Sequence, residues 1–353
     1  MKIMQIIPSL GLGGAEIMCE NLSYELKALG HNVIVVSLIE KESFVTQRLK
    51  AAGIDIVYLK KKSGLDFSVF YKLYRLFKQE YPDVIHTHLG ASRYVFPVAT
   101  FMKIRIVHTV HNVATKDEVA LIRKINGFFY KFLKITPVAL SEEIKKTIVN
   151  AYGLKEVNVP VVFNGVDLSN CKEKKDYSVR GNFKILHVGR FFEQKNHIGL
   201  LRAFKLFHSE VNASELWLVG DGEKRIDIEN FISENNLDGY VKLFGLQKDS
   251  YKFLSEADVF TLPSIYEGMP MALIEAMGTG LPIVVTAVGG VPDMLSENVS
   301  QLVPVDEEAI SRALKRYYDD LSLREKHGRN VKILAENFSS TTMAKKYLEI
   351  YSS

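Results

Sequence analysis

The sequence predicts an α/β protein built from two doubly wound domains, each a parallel sheet with helices on both faces. Three observations carry this. At 353 residues the chain exceeds the size at which a single core keeps growing, and it fits two domains. Short β-branched runs alternate with helix-period segments from end to end, which is the punctuation of βαβ units. The pattern then restarts at Phe183, after a boundary at Asn164–Gly181 where Cys171-Lys-Glu-Lys-Lys-Asp176 is polar and aperiodic.

In the first series, strands are expected over Lys2–Pro8, Asn32–Leu38, Ile54–Leu59, Asp83–Thr87, Arg105–Val110 and Pro137–Leu140. Helical patterns such as Ala15–Leu29 and Phe67–Glu80 fit between them. The second series runs through Phe183–Val188, Glu215–Val219, Tyr240–Phe244, Asp258–Leu262 and Leu281–Thr286. This gives an N-terminal domain over 1–165 and a C-terminal domain over 166–338. A last helix at Thr341–Tyr351, within a 339–353 segment, is expected to pack back on the first domain. In two such domains, ligands are expected beyond the carboxyl ends of the strands.

Composition narrows the function. A hydrophobic content of 47% allows large cores, and a formal charge of +4 is too small to imply nucleic acid. Cys19 and Cys171 fall in different halves, so no disulfide framework is implied and a reducing, cytoplasmic compartment is expected. No apolar run reaches the roughly 18 residues needed to span a bilayer. Met1–Leu10 lacks the cleavage site of a signal peptide and runs into a glycine loop.

The most informative stretch is Ser264-Ile-Tyr-Glu-Gly-Met-Pro-Met-Ala-Leu-Ile-Glu-Ala-Met-Gly278. Pro270 suits a first helical position, and Gly278 and Gly280 suit the stop. Glu267 then precedes the helix and Glu275 lies inside it, at most about 12 Å away along the axis. That is about the span of a sugar diphosphate. Each carboxylate can accept hydroxyl hydrogen bonds, and the helix N-terminus between them favours an anion. The plain alternative, favoured by spacing alone, is an amphipathic helix with Glu275 on its wet face.

Other loops raise the sharper reading. After the first strand, Ser9-Leu-Gly-Leu-Gly-Gly-Ala-Glu16 offers Gly11, Gly13 and Gly14 for close backbone approach to a phosphate, though a tight turn without ligand reads equally well. After Val188, the loop Gly189-Arg190-Phe-Phe-Glu-Gln-Lys195 places two cations before a helix, enough to neutralise a diphosphate. Histidines cluster in Ile85-His-Thr-His88 and Val107-His-Thr-Val-His-Asn112. They lack a carboxylate or Cys partner, so no metal site is expected. His86 and His108 read as locally bonded core residues, and His88 and His111 as the better candidates for facing the crevice. No Asp-x-Asp pair is present for a metal–diphosphate clamp, which leaves that work to cations.

Gly-Gly-Ala-Glu16, Asn164-Gly-Val-Asp167, Gly189-Arg190 with Lys195, and Glu267 through Glu275 together resemble the retaining glycosyltransferases of family 4, with the GT-B fold. Val219-Gly-Asp-Gly222, Leu262-Pro-Ser264 and Val288-Gly-Gly-Val-Pro292 fit the same pattern, which covers nearly the whole chain. Pro270 departs from it, standing where many members carry Gly. The resemblance implies a nucleotide-sugar donor, UDP-linked, with no cofactor or metal. Arg190 and Lys195 would hold the diphosphate and stabilise it as leaving group, with Gly13 and Gly14 approaching it. Glu275 would bind the ribose. Glu267, with Gly268 and Met269 beside it, would hold the transferred sugar, and His111 would contact the sugar from the other domain. The base would lie near Leu246. Front-face attack, with the departing phosphate helping to deprotonate the acceptor, requires no protein nucleophile.

Ile122-Arg-Lys-Ile-Asn-Gly-Phe-Phe-Tyr-Lys-Phe-Leu-Lys134 mixes cations with aromatics and suits an anionic membrane surface and a polyprenyl-diphosphate-linked saccharide acceptor. The similar Phe67–Lys78 reads as an ordinary surface helix. Two other functions stay open: a nucleotide-sugar epimerase of the same fold, and a non-catalytic nucleotide-sugar-binding protein.

Overall fold

Lys2-Ile-Met-Gln-Ile-Ile7 forms β1 (Lys2–Ile7), buried at every position after the first. A run apolar on both faces is stable only when helices cover both sides of the sheet, and that arrangement holds throughout. The structure, a computed structural model, describes residues 1–114 and 120–353. It comprises two units, Met1–Val166 with Ser340–Ser353, and Asp167–Ser339.

The first unit carries β1, β2 (Asn32–Ser37), β3 (Asp55–Tyr58), β4 (Val84–His88), β5 (Arg105–Val110) and β6 (Thr136–Ala139). They form one sheet in the order β3-β2-β1-β4-β5-β6, and every pairing is parallel. Alternation along β1 sends Met4 and Ile6 into one core and Ile7 into another. Helices α1 (Gly14–Ala28) and α2 (Phe44–Ala51) cover the second face, through Cys19, Val45 and Leu49. The first face takes α3 (Ser68–Glu80), α4 (Ser92–Phe101), α5 (Ala120–Phe132) and α6 (Glu142–Tyr152).

Two surface helices depart from the expected division. On α3, Val69, Leu73 and Phe77 are buried, but Phe67, Tyr71 and Tyr74 form a second, exposed stripe. On α5, Phe129 packs on the core, so only Phe128 and Phe132 of its three phenylalanines face water.

The second unit contains β7 (Phe183–Val188), β8 (Ser214–Val219), β9 (Val241–Gly245), β10 (Val259–Leu262), β11 (Ile283–Thr286) and β12 (Gln301–Val303). Their order is β12-β11-β10-β7-β8-β9, again all parallel. Helices α7 (His197–Glu210), α8 (Arg225–Glu234), α9 (Tyr251–Glu256), α10 (Met271–Thr279), α11 (Val291–Met294), α12 (Glu307–Asp319) and α13 (Leu321–Ala335) surround it. The final helix, α14 (Ser340–Ser352), packs against α1 and β5 of the first unit.

Both sheets reverse direction beside their first strand, between β1 and β4 and between β7 and β10. Such a reversal opens a crevice at the carboxyl ends of the strands. Among the described residues, no helix is long and apolar enough to cross a membrane.

Candidate active site

In the second unit, the crevice between β7 and β10 is lined by the two loops that carry the expected charges. After β7 the chain makes a short turn, Glu193–Lys195. Asn196 then enters the left-handed region at φ 53° and caps α7, its side chain accepting from the Gly199 amide. The Asn196 amide also donates to the Pro263 carbonyl at 3.1 Å, and the Ile265 amide donates to the Gln194 carbonyl at 2.9 Å. These bonds clamp the two loops together. As a result the Lys195 ammonium donates to the Glu267 carboxylate at 2.6 Å. The same Oε1 accepts from the Ser264 hydroxyl at 2.6 Å, while Gln194 reaches the Tyr266 carbonyl at 2.8 Å. Glu267 is only 4% exposed, and a buried carboxylate is tolerable only with partners of this kind.

The neighbouring loops set that geometry through two glycines. Gly289 has φ 54°, and a Cβ there would lie 1.8 Å from the Glu267 carbonyl oxygen. Gly220 has φ 143°, and a Cβ there would lie 1.9 Å from the Gly189 carbonyl oxygen. The motifs Val288-Gly-Gly-Val-Pro292 and Val219-Gly-Asp-Gly222 thus exist so that backbone can press against the Glu267 and Arg190 loops. Gly189 and Phe191 complete the seam, their amides donating to the Val219 and Asp221 carbonyls, each at 3.0 Å.

Arg190 is exposed, its guanidinium 5.2 Å from the centre of the Phe192 ring. Under this loop lie His187 and His197, in edge contact at 4.8 Å. His187 Nδ1 lies 2.9 Å from the Thr261 carbonyl and donates to it. Burial holds His187 down at about 4 and His197 at about 2, so both rings are neutral.

Glu275 sits inside α10, 9% exposed, and accepts a short hydrogen bond from the Ser250 hydroxyl just before α9. This corrects the amphipathic reading, because α10 is buried at nearly every position. Burial, reinforced by the Glu275 charge, pushes the Cys171 thiol up to about 12 and the Tyr251 hydroxyl well above its ordinary value. Two details of the expected helix also change. Pro270 is the cap residue in extended conformation, ahead of the first turn, and the stop is Gly280 at φ 79°. Gly278 instead lies inside the helix, where a Cβ would meet the Cys171 sulfur and Leu168 at 2.8 Å each. Gly268 and Met269 are buried between Glu267 and α10, whereas Leu246, just past β9, is 58% exposed.

In the first unit, Gly13 caps α1 and Gly14 opens it. The Glu16 carboxylate folds back onto this loop, so that a Cβ on Gly13 would come within 2.6 Å of it. A carboxylate belongs at a helix N-terminus for the same reason a phosphate does. His111 follows β5, half-buried, with Nε2 3.0 Å from His88 Nδ1. Burial lowers His111 to about 3. His88 does not face a ligand: it is fully buried and bonded to Gln5 at 2.8 Å. His86 and His108 are buried and bonded to threonines, His86 to Thr109 and His108 to Thr87, each at 2.7 Å.

Sequence reasoning missed Gln194, Ser250 and Gln5 as parts of these clusters. Gln5 alone carried a visible signal, as the one polar residue inside the apolar run of β1.

Two doubly wound units of one sheet topology, with polar clusters at their strand ends, fit the GT-B class of glycosyltransferases. Family models agree: the model described as Glycosyltransferase Family 4 matches residues 12–170, and that described as Glycosyl transferases group 1 matches residues 171–333. The chain belongs to the group 1 glycosyltransferases. It is 29% identical to an Escherichia coli UDP-Gal:alpha-D-GlcNAc-diphosphoundecaprenol alpha-1,3-galactosyltransferase, over 87% of this chain and 86% of the relative. It is 24% identical to a Campylobacter jejuni N-acetylgalactosamine-N,N'-diacetylbacillosaminyl-diphospho-undecaprenol 4-alpha-N-acetylgalactosaminyltransferase, over 99% of this chain and 98% of that one. Anabaena HepE, solved in complex with UDP and glucose, superposes with a TM-score of 0.88 at 17% identity, covering 100% of both chains. At that identity the likeness establishes the fold.

Proposed function

We propose that this glycosyltransferase moves a hexose or N-acetylhexosamine from a UDP-sugar to a lipid-linked saccharide, with retention and without a metal, in the synthesis of a bacterial surface polysaccharide. One observation carries the reading: Lys195 and Glu267 meet at the strand reversal of the second unit, beside exposed Arg190. A diphosphate arriving there shares the Lys195 ammonium with Glu267 and takes the free face of the Arg190 fork. The two cations then stabilise the charge that grows on the leaving diphosphate, which is the role a metal would otherwise fill. Glu267 accepts from the sugar hydroxyls, Glu275 from the ribose, and His111 contacts the sugar from the first unit. Gly13 and Gly14 approach the phosphates, and the base lies near Leu246. The two bacterial relatives, both named for diphosphoundecaprenol-linked acceptors, support the acceptor class.

A membrane surface fits the same acceptor. Leu121, Ile125, Phe128 and Phe132 are 69%, 43%, 54% and 68% exposed. Their spacing of four, three and four residues puts them on one face of α5. Exposed Lys124, Lys131 and Lys134 flank them, an arrangement suited to lying on anionic lipid.

The test is transfer from a panel of UDP-sugars to synthetic polyprenyl-diphosphate saccharides in the presence of chelator, with the anomeric configuration of the product read by NMR. An axial product formed in chelator is expected from an α-linked donor. A requirement for Mg²⁺, an inverted product, or release of an epimerised free nucleotide sugar would each contradict the reading.

A further inference from the structure

The first unit contains a continuous chain of buried hydrogen bonds that begins in the C-terminal helix and ends at His111. The Tyr347 hydroxyl lies 2.7 Å from Thr109 Oγ1, which lies 2.7 Å from His86 Nε2. His86 Nδ1 lies 2.7 Å from the Tyr351 hydroxyl, to which the Gln5 amide nitrogen donates at 3.4 Å. Gln5 Oε1 meets His88 Nε2 at 2.8 Å, and His88 Nδ1 meets His111 Nε2 at 3.0 Å. Six of these seven side chains are at most 3% exposed, and His111 alone is half-buried. Tyr347 and Tyr351 are one helical turn apart on α14, so both reach the same side of the sheet.

With the Gln5 amide oriented as it stands, Oε1 toward His88 and the amide nitrogen toward Tyr351, the order of donors and acceptors follows along this chain. Gln5 Oε1 can only accept, so His88 Nε2 carries a proton. A neutral imidazole has one proton, so His88 Nδ1 is a lone pair and accepts from His111 Nε2–H. His111 Nδ1 is therefore a bare acceptor. Burial keeps all three rings neutral, which holds the logic together: His86 and His88 are lowered well below the ordinary histidine value, and His111 to about 3. Turning the Gln5 amide over would reverse every bond and put the His111 proton on Nδ1.

We propose that Tyr351 and Gln5 are positioning residues which, through His88, fix His111 as the Nε2–H tautomer and present its Nδ1 lone pair to a hydroxyl of the transferred sugar. This rests on the sugar contact proposed for His111. It gives α14 a part in the reaction: the last turn of the chain orients a site residue that follows β5.

The test is a long-range ¹H–¹⁵N spectrum of the histidine rings, with His111 assigned through His111→Gln. Wild-type protein should show His111 protonated at Nε2 only. Tyr351→Phe, which deletes one hydroxyl and leaves the ring, should convert His111 to a mixture of tautomers and lower turnover about tenfold. Affinity for UDP without sugar should stay unchanged, since the role proposed for His111 is toward the sugar. Gln5→Leu should do the same. A His111 proton on Nδ1 in the wild type would overturn the inference, as would an unaltered tautomer and turnover in both variants. Undiminished turnover in His111→Ala would instead remove the sugar contact, and is distinguishable because the spectra do not depend on it.

Discussion

The two sheets have one topology and opposite chemistry. In the first unit the strand reversal between β1 and β4 is filled by neutral groups: Gln5 bonded to His88, with Gln5 and His86 both bonded to the Tyr351 hydroxyl. In the second, the reversal between β7 and β10 holds an ion pair, Lys195 with Glu267, beside exposed Arg190. The fold therefore dictates where a ligand can sit, and the loops decide what kind. A charged cluster suits a diphosphate, while a neutral acceptor ring suits a hydroxyl.

The largest expected effect that separates the two is on stability in acid. His86, His88 and His108 are fully buried and neutral, with His108 lowered to about 3. The unfolded chain takes up these protons as the pH falls below about 6.5, so stability is full above that pH and declines below it. Each ring contributes a slope of about 1.4 kcal/mol per pH unit. The second unit has two such rings near its reversal, His187 and His197. Hydrogen exchange from pH 8 to 5 should therefore show protection at the ends of β4 and β5 falling more steeply than at the ends of β7 and β10. Equal slopes would remove this half of the comparison.

Next in size is turnover. Lys195→Ala and Arg190→Ala should each slow transfer by roughly 10²–10³, or about 3–4 kcal/mol, the loss typical of one preorganised charge-stabilising donor. A near-normal rate in either variant would detach that side chain from the leaving group. The two acids should then separate by what they hold. Glu275→Ala should weaken UDP by roughly 10- to 100-fold, the worth of a hydrogen bond to a charged group. Glu267→Ala should spare UDP and damage transfer. Equal effects on bare UDP would contradict the division of roles.

The smallest effect concerns the surface of the first unit. Each cation near an anionic bilayer contributes about 1 kcal/mol, so Lys124→Glu with Lys131→Glu should reduce co-sedimentation with anionic vesicles. Phe132→Ser should reduce what remains at high salt. Recovery equal to that on neutral vesicles would end the membrane reading.

Much of this was legible in the sequence for a physical reason. Strands buried on both faces read as continuous apolar runs, so Arg105–Val110 and Phe183–Val188 fall where the pattern puts them. β12 escaped because three residues carry no pattern. Lys195 and Glu267 were visible as loop charges, but their contact depends on Gly289 and Asn196, whose backbone conformations no spacing reveals. Glu275 was harder to place: a charge inside a helix ordinarily marks the wet face, and its partner Ser250 comes from a distant loop. The link from Tyr351 to His111 joins residues from the two ends of the chain, beyond the reach of any local signal.

The most direct test of the central claim is calorimetric titration of UDP in the presence of chelator, on the wild-type protein and on Lys195→Ala. Binding to the wild type without a divalent metal, clearly weakened in the variant, is the expected result. UDP that binds only once Mg²⁺ or Mn²⁺ is restored, or that binds Lys195→Ala as tightly as the wild type, would contradict a cation-built diphosphate site in the second unit.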